Sequence, residues 1–128
     1  MSKIRVLLVD EDKELISTVA ERLRMRGMEV QVSSNGESVL QMICDMEPEV
    51  MVLDLRVTGI DGMELLRRVT ESRPGLQTIV ISWYASWKDR ETALGLGAIR
   101  YFQKPVDIDE LTQALIFAHG KSTEIVTG

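Results

Sequence analysis

Val50-Met51-Val52-Leu53-Asp54 places four apolar residues, half of them β-branched, in front of a carboxylate. Such a run reads as a strand buried on both faces. Thr58-Gly59 and Asp61-Gly62 follow as turn formers. A charge is costly inside a core strand, so Asp54 belongs at the strand's mouth. In open parallel sheets, ligands bind at the carboxyl ends of strands. Asp54 is therefore a candidate reactive group.

The segments on either side repeat this alternation. Ile4 to Val9 is a β-rich run ended by Asp10-Glu11-Asp12. Leu15, Ile16, Val19, Ala20 and Leu23 then recur at helical spacing, with Asp12 as N-cap and Gly27 closing the stripe. Met28 to Val32 is a short strand, and Asn35-Gly36 opens a second helix through Val39, Leu40 and Ile43, with Pro48 as a stop. After Asp61-Gly62, a third helix carries Met63, Leu66 and Val69 and exits at Pro74-Gly75. Thr78 to Ser82 is a fourth strand, and Ser86 caps a helix through Leu94 with Gly95 and Gly97 near its end. Ile99 to Phe102 is a fifth strand, then Lys104-Pro105, and Asp107 starts a last helix through Leu111, Ala114, Leu115 and Ala118. Five strands alternating with five helices across short connections predict a doubly wound α/β fold, a parallel sheet covered on both faces. Order 2-1-3-4-5 is the commoner arrangement; periodicity alone does not select it.

The bulk numbers agree with one globular domain. The chain has 128 residues, 45% hydrophobic and 27% charged. A formal charge of −5 argues against nucleic-acid binding and suits carboxylates gathered around a cation. Cys44 is the single cysteine, so no internal disulfide forms; a reducing, cytoplasmic setting and a place in the core are expected. No apolar run approaches the roughly 18 residues of a membrane span, and no signal-peptide h-region opens the chain. A soluble, unexported protein with no membrane partner is expected.

Asp10 and Glu11 close the first strand, Asp54 the third, Ser82 the fourth, and Lys104 follows the fifth. In a parallel sheet all of them converge on one rim. Three carboxylates there repel one another unless positive charge sits among them. Hard oxygen ligands suit Mg²⁺, Lys104 adds a point charge, and Ser82 a hydroxyl. This is the equipment of phosphoryl transfer, with Asp54 as the attacking oxygen.

Val9-Asp10-Glu11-Asp12, Leu53-Asp54, Gly59-x-Asp61-Gly62, Ser82 and Lys104-Pro105 together resemble the receiver domain of two-component response regulators, from about Lys3 to about Gly120. The resemblance implies a flavodoxin-like (βα)₅ fold of order 2-1-3-4-5, with residues 1–120 as the receiver domain and 121–128 as a tail or the start of a linker. It implies that Asp54 is the phosphoacceptor, served by a sensor histidine kinase or phosphotransfer protein. Mg²⁺ would be held by Glu11, Asp54, the backbone carbonyl of Arg56 and, through water, Asp10. Ser82 would be the switch hydroxyl that moves to the phosphoryl group, Lys104 its cationic partner, and Tyr101 the switch aromatic, with a cis peptide at Pro105. An output domain or effector protein, and a phosphorylation-dependent dimer, follow from the same likeness. Such a chain is an enzyme only in catalysing its own phosphotransfer and dephosphorylation.

The pattern departs from the family at several positions. Trp83 replaces the usual small residue after the switch hydroxyl, which predicts a gate over Asp54. Val57 and Thr58 replace a common Met-Pro, altering the loop without removing a ligand. Arg56 and Tyr84 are bulky at two positions that tune phosphoryl loss, predicting slow attack by water. Glu11 stands where Asp is often found and reaches further. Trp83, Tyr84 and Trp87 either pack inward or form a partner surface rich in hot-spot residue types. His119 beside Gly120 reads as a favourable helix-end charge, and the methionines as core filler. Two other classes compete. One is an atypical receiver acting as a phosphorylation-independent interaction module. The other is a Mg²⁺-dependent phosphohydrolase, against which Leu55-Arg56 supplies no second acid two residues after Asp54.

Overall fold

The computed structural model describes residues 3–84 and 86–127, with side chains of the last helix described through Lys121. Its elements are β1 (Arg5–Val9), α1 (Lys13–Met25), β2 (Glu29–Ser33), a 3₁₀ turn (Gly36–Ser38), α2 (Val39–Met46), β3 (Val50–Asp54), α3 (Gly62–Ser72), β4 (Gln77–Ser82), α4 (Trp87–Gly95), β5 (Arg100–Gln103) and α5 (Ile108–Thr127). All strand pairs are parallel, in the order β2-β1-β3-β4-β5. The expected doubly wound flavodoxin-like sheet is therefore present.

The central strand shows why a continuous apolar run was needed. Side chains alternate across a strand, so Val50 and Val52 of β3 join one core layer and Met51 and Leu53 the other. The first layer packs against Ile16, Ala20 and Leu23 of α1 and Leu111, Ala114 and Leu115 of α5. The second packs against Val39 and Ile43 of α2, Leu65, Leu66 and Val69 of α3, and Ala93 of α4. At the rim, side-chain caps fix the helix starts. Asp12 accepts from Leu15 N, Asp61 from Met63 N, Ser86 from Asp89 N, and Asp107 from Asp109 N and Glu110 N.

Several local expectations change. Helix α5 runs past Gly120 to Thr127, because a glycine weakens a helix without ending it unless the chain turns left-handed there. His119 is accordingly not at a helix end; its Nδ1 lies 2.5 Å from Glu49 Oε2. Cys44 is exposed. It follows buried Ile43 on α2 and so points about 100° away from the core. Met28 and Met51 are buried, but Met25, in the last turn of α1, is 81% exposed.

Candidate functional site

Register brings the reactive residues together. Val9 pairs with Leu53, Asp54 with Ile81, and Ser82 with Gln103. The residues that end or follow these strands share one rim. Asp10, Asp54, Ser82 and Lys104 are all buried, with at most 5% of any of them exposed. Lys104 Nζ donates to Asp10 Oδ2 at 2.5 Å and to Asp54 Oδ2 at 2.7 Å. The other oxygens accept main-chain donors: Asp12 N reaches Asp10 Oδ1 at 3.0 Å and Arg56 N reaches Asp54 Oδ1 at 2.9 Å. The Lys104-Pro105 peptide is cis, and Lys104 N donates to Ser82 O at 2.7 Å.

Two carboxylates share one ammonium, so the buried centre carries a net negative charge. Burial pushes the Asp10 carboxyl above its ordinary value; hydrogen bonding to Lys104 opposes this, and the Asp54 charge adds to the rise. Burial pulls the Lys104 ammonium down, yet hydrogen bonds to Asp10 and Asp54 outweigh it and raise its pKa. A centre of this kind favours one more cation. Its hard oxygen donors suit Mg²⁺, and each Asp10 and Asp54 oxygen accepts one of the roughly two hydrogen bonds open to it. The Asp10 and Asp54 oxygens therefore fit the ion that the resemblance implies.

Glu11 departs from the expected convergence. Its carboxylate is exposed and Oε2 accepts from Thr58 Oγ1 at 2.8 Å. Among the described residues no three acidic, histidine or cysteine side chains form a group that could hold a metal. Glu11's extra methylene carries its carboxylate out to the β3–α3 loop. Thr58 is the residue sequence reasoning missed. Its partner lies 47 positions away, and no local pattern signals such a contact.

Trp83 and Tyr84, which follow β4, contact residues of the rim. Ser82 Oγ accepts from Tyr84 N at 3.2 Å, and Tyr101 Oη donates to Tyr84 O at 3.1 Å. The Arg56 guanidinium stacks 4.3 Å from the Tyr84 ring centroid, joining the two loops beside Asp54. Lys104 Nζ lies 5.4 Å from the Trp83 ring centroid. Trp83 also walls a cavity of about 350 Å³ between α1 and the segment after β5, with Leu15, Ile16, Val19, Pro105 and Val106. Trp83, Tyr84 and Trp87 are 52%, 54% and 74% exposed, so none packs into the interior.

Comparison with known proteins agrees with this geometry. TrcR, a transcriptional regulatory protein of Mycobacterium tuberculosis, is 38% identical over 114 residues, which are 89% of this chain and 44% of TrcR. Sporulation initiation phosphotransferase F of Bacillus subtilis is 27% identical over 115 residues, covering 90% of this chain and 93% of that protein. The crystal structure of a CheY-like response regulator receiver domain protein from Methanospirillum hungatei superimposes with a TM-score of 0.90 at 26% identity, over 96% of this chain and 98% of that one. The chain spans under half the length of several regulatory proteins that it matches. A family model described as Response regulator receiver domain matches residues 6–116. With its parallel 2-1-3-4-5 sheet and an acidic rim closed by a lysine, the chain belongs to the receiver domains of two-component response regulators.

Proposed function

We propose that this receiver takes a phosphoryl group on Asp54 from a phosphohistidine of a sensor kinase or phosphotransfer protein. The observation that carries the reading is the Lys104 ammonium shared between two buried carboxylates. An Asp54 carboxylate oxygen forms the new O–P bond as the donor's N–P bond breaks, and the electron pair leaves with the imidazole, which takes up a proton. Lys104 already reaches Asp54 Oδ2, so its ammonium is in place to hydrogen-bond a phosphoryl oxygen there. Asp10, Glu11, Asp54 and the Arg56 carbonyl would hold Mg²⁺. Once bound, that ion offsets charge on the phosphoryl oxygens. Hydrolysis by water reverses the modification, and self-directed transfer and hydrolysis are the only catalysis we assign.

The contacts around Ser82 support a switch. Ser82 Oγ accepts from Tyr84 N while its own O–H stays free to donate, so a shift of Oγ towards a phosphoryl oxygen would pull on the Tyr84 main chain. Tyr84 is tied to Tyr101 and Arg56, so the movement reaches β5 and the neighbouring faces of α4 and α5. An attached output domain, an effector protein or a second receiver would read that face in the cytoplasm. No helix among the described residues is long and apolar enough to cross a membrane.

The exposed Trp83, Tyr84 and Trp87 favour a second reading, a docking module that works without phosphorylation. Beryllofluoride uptake separates the two. Mg²⁺-dependent uptake that disappears in Asp54→Asn is expected, read by fluorine or amide resonances. Absence of uptake by the unaltered protein would favour the module.

A further inference from the structure

We propose that Thr58 is a positioning residue that holds Glu11 away from the acidic rim, so that a divalent cation must compete with the Thr58 hydroxyl for this carboxylate. The inference rests on the reading of Glu11 as a cation ligand. Thr58 Oγ1 donates to Glu11 Oε2 at 2.8 Å, while Asp10 and Asp54 turn instead to Lys104.

Thr58 is a fixed post. Its carbonyl accepts from Gly36 N at 2.7 Å, and its backbone bridges to Asn35. The next residue, Gly59, has φ +98, and a Cβ there would stand 2.3 Å from Asn35 Oδ1. The hydroxyl therefore cannot follow Glu11 inward. Glu11 is exposed, and its longer side chain lets one carboxylate serve either the loop or the rim. Thr58 does not touch the acceptor. It acts through Glu11, by making the third carboxylate leave a charge-assisted hydrogen bond.

Titration of the whole chain with Mg²⁺, followed calorimetrically and by Trp fluorescence, tests this. Thr58→Val keeps the β-branch and removes the donor; Thr58→Ser keeps the donor. For an exposed hydrogen bond to a charged group, Thr58→Val should tighten Mg²⁺ binding about fivefold, with Thr58→Ser within about twofold of the unaltered protein. In a Glu11→Ala background, Thr58→Val should change nothing. Unchanged or weaker binding by Thr58→Val, or the same tightening without Glu11, overturns the proposal. Glu11→Ala alone tests the underlying reading: unchanged affinity there would remove Glu11 as a ligand and the proposal with it. Weakened affinity in Glu11→Ala beside an inert Thr58→Val would overturn the proposal alone.

Discussion

Replacing Trp83 by alanine is expected to speed both phosphorylation of Asp54 by a small phosphodonor and loss of the phosphoryl group, at modest cost in stability. Trp83 is 52% exposed. A fully buried aromatic side chain removes about 150–250 Å² from water, so this ring hides about 100 Å². At about 25 cal/mol per Å² the loss is about 2.5 kcal/mol, an upper figure because the unfolded chain already hides part of that surface. A core tryptophan would cost about 3–5 kcal/mol. The ring's contact with Lys104, at 5.4 Å, is worth about 1 kcal/mol. A cover held by about 1 kcal/mol leaves the site open about one part in six, so removing it should raise both rates about sixfold. Mg²⁺ affinity should hold, because no proposed ligand changes. Acetyl phosphate labelling by intact mass, decay of the labelled protein, and thermal unfolding of one preparation supply the three numbers. A loss of about 3–5 kcal/mol with both rates unchanged would show a packing residue, and the gate would fall.

On α3, Glu64 accepts from Arg67 and Arg68, and these hydrogen bonds hold its carboxyl down at about 2, against an ordinary 4.5. The stability it contributes is present above 4.5 and lost as pH falls towards about 2; Glu64→Gln should flatten that part of the acid-unfolding profile, and an unaltered profile would contradict the pairing. Amide exchange with and without beryllofluoride should change at Tyr84, in β5 and on the adjoining faces of α4 and α5, through the Ser82–Tyr84–Tyr101 contacts. Changes confined to residues around Asp10 and Asp54 would mean binding without switching.

Much of this was legible in the sequence. The β3 run had to be buried on both faces because it is apolar at every position before Asp54, and α1, α3 and α4 start at short polar residues that cap in the structure. Strand ends fix where Asp10, Asp54, Ser82 and Lys104 meet, so that part of the rim needed only the parallel sheet. Side-chain direction was less accessible. Cys44 is exposed although free cysteines favour interiors, because one helical step past Ile43 decides its direction. Gly120 signals a helix end, but nothing in the chain enforces one there. The Thr58–Glu11 bond depends on two loops meeting across the rim, and periodicity carries no such information. The Trp83–Lys104 and Arg56–Tyr84 stackings are tertiary in the same sense.

Whether Asp54 alone receives the phosphoryl group is tested most directly by the intact mass of the chain after incubation with acetyl phosphate and Mg²⁺. One added phosphoryl group is expected, released in base, dependent on Mg²⁺ and absent from Asp54→Asn. Equal labelling of Asp54→Asn would contradict it and move the acceptor elsewhere on the rim, with Asp10 next; so would an unaltered protein that stays unlabelled while still binding Mg²⁺.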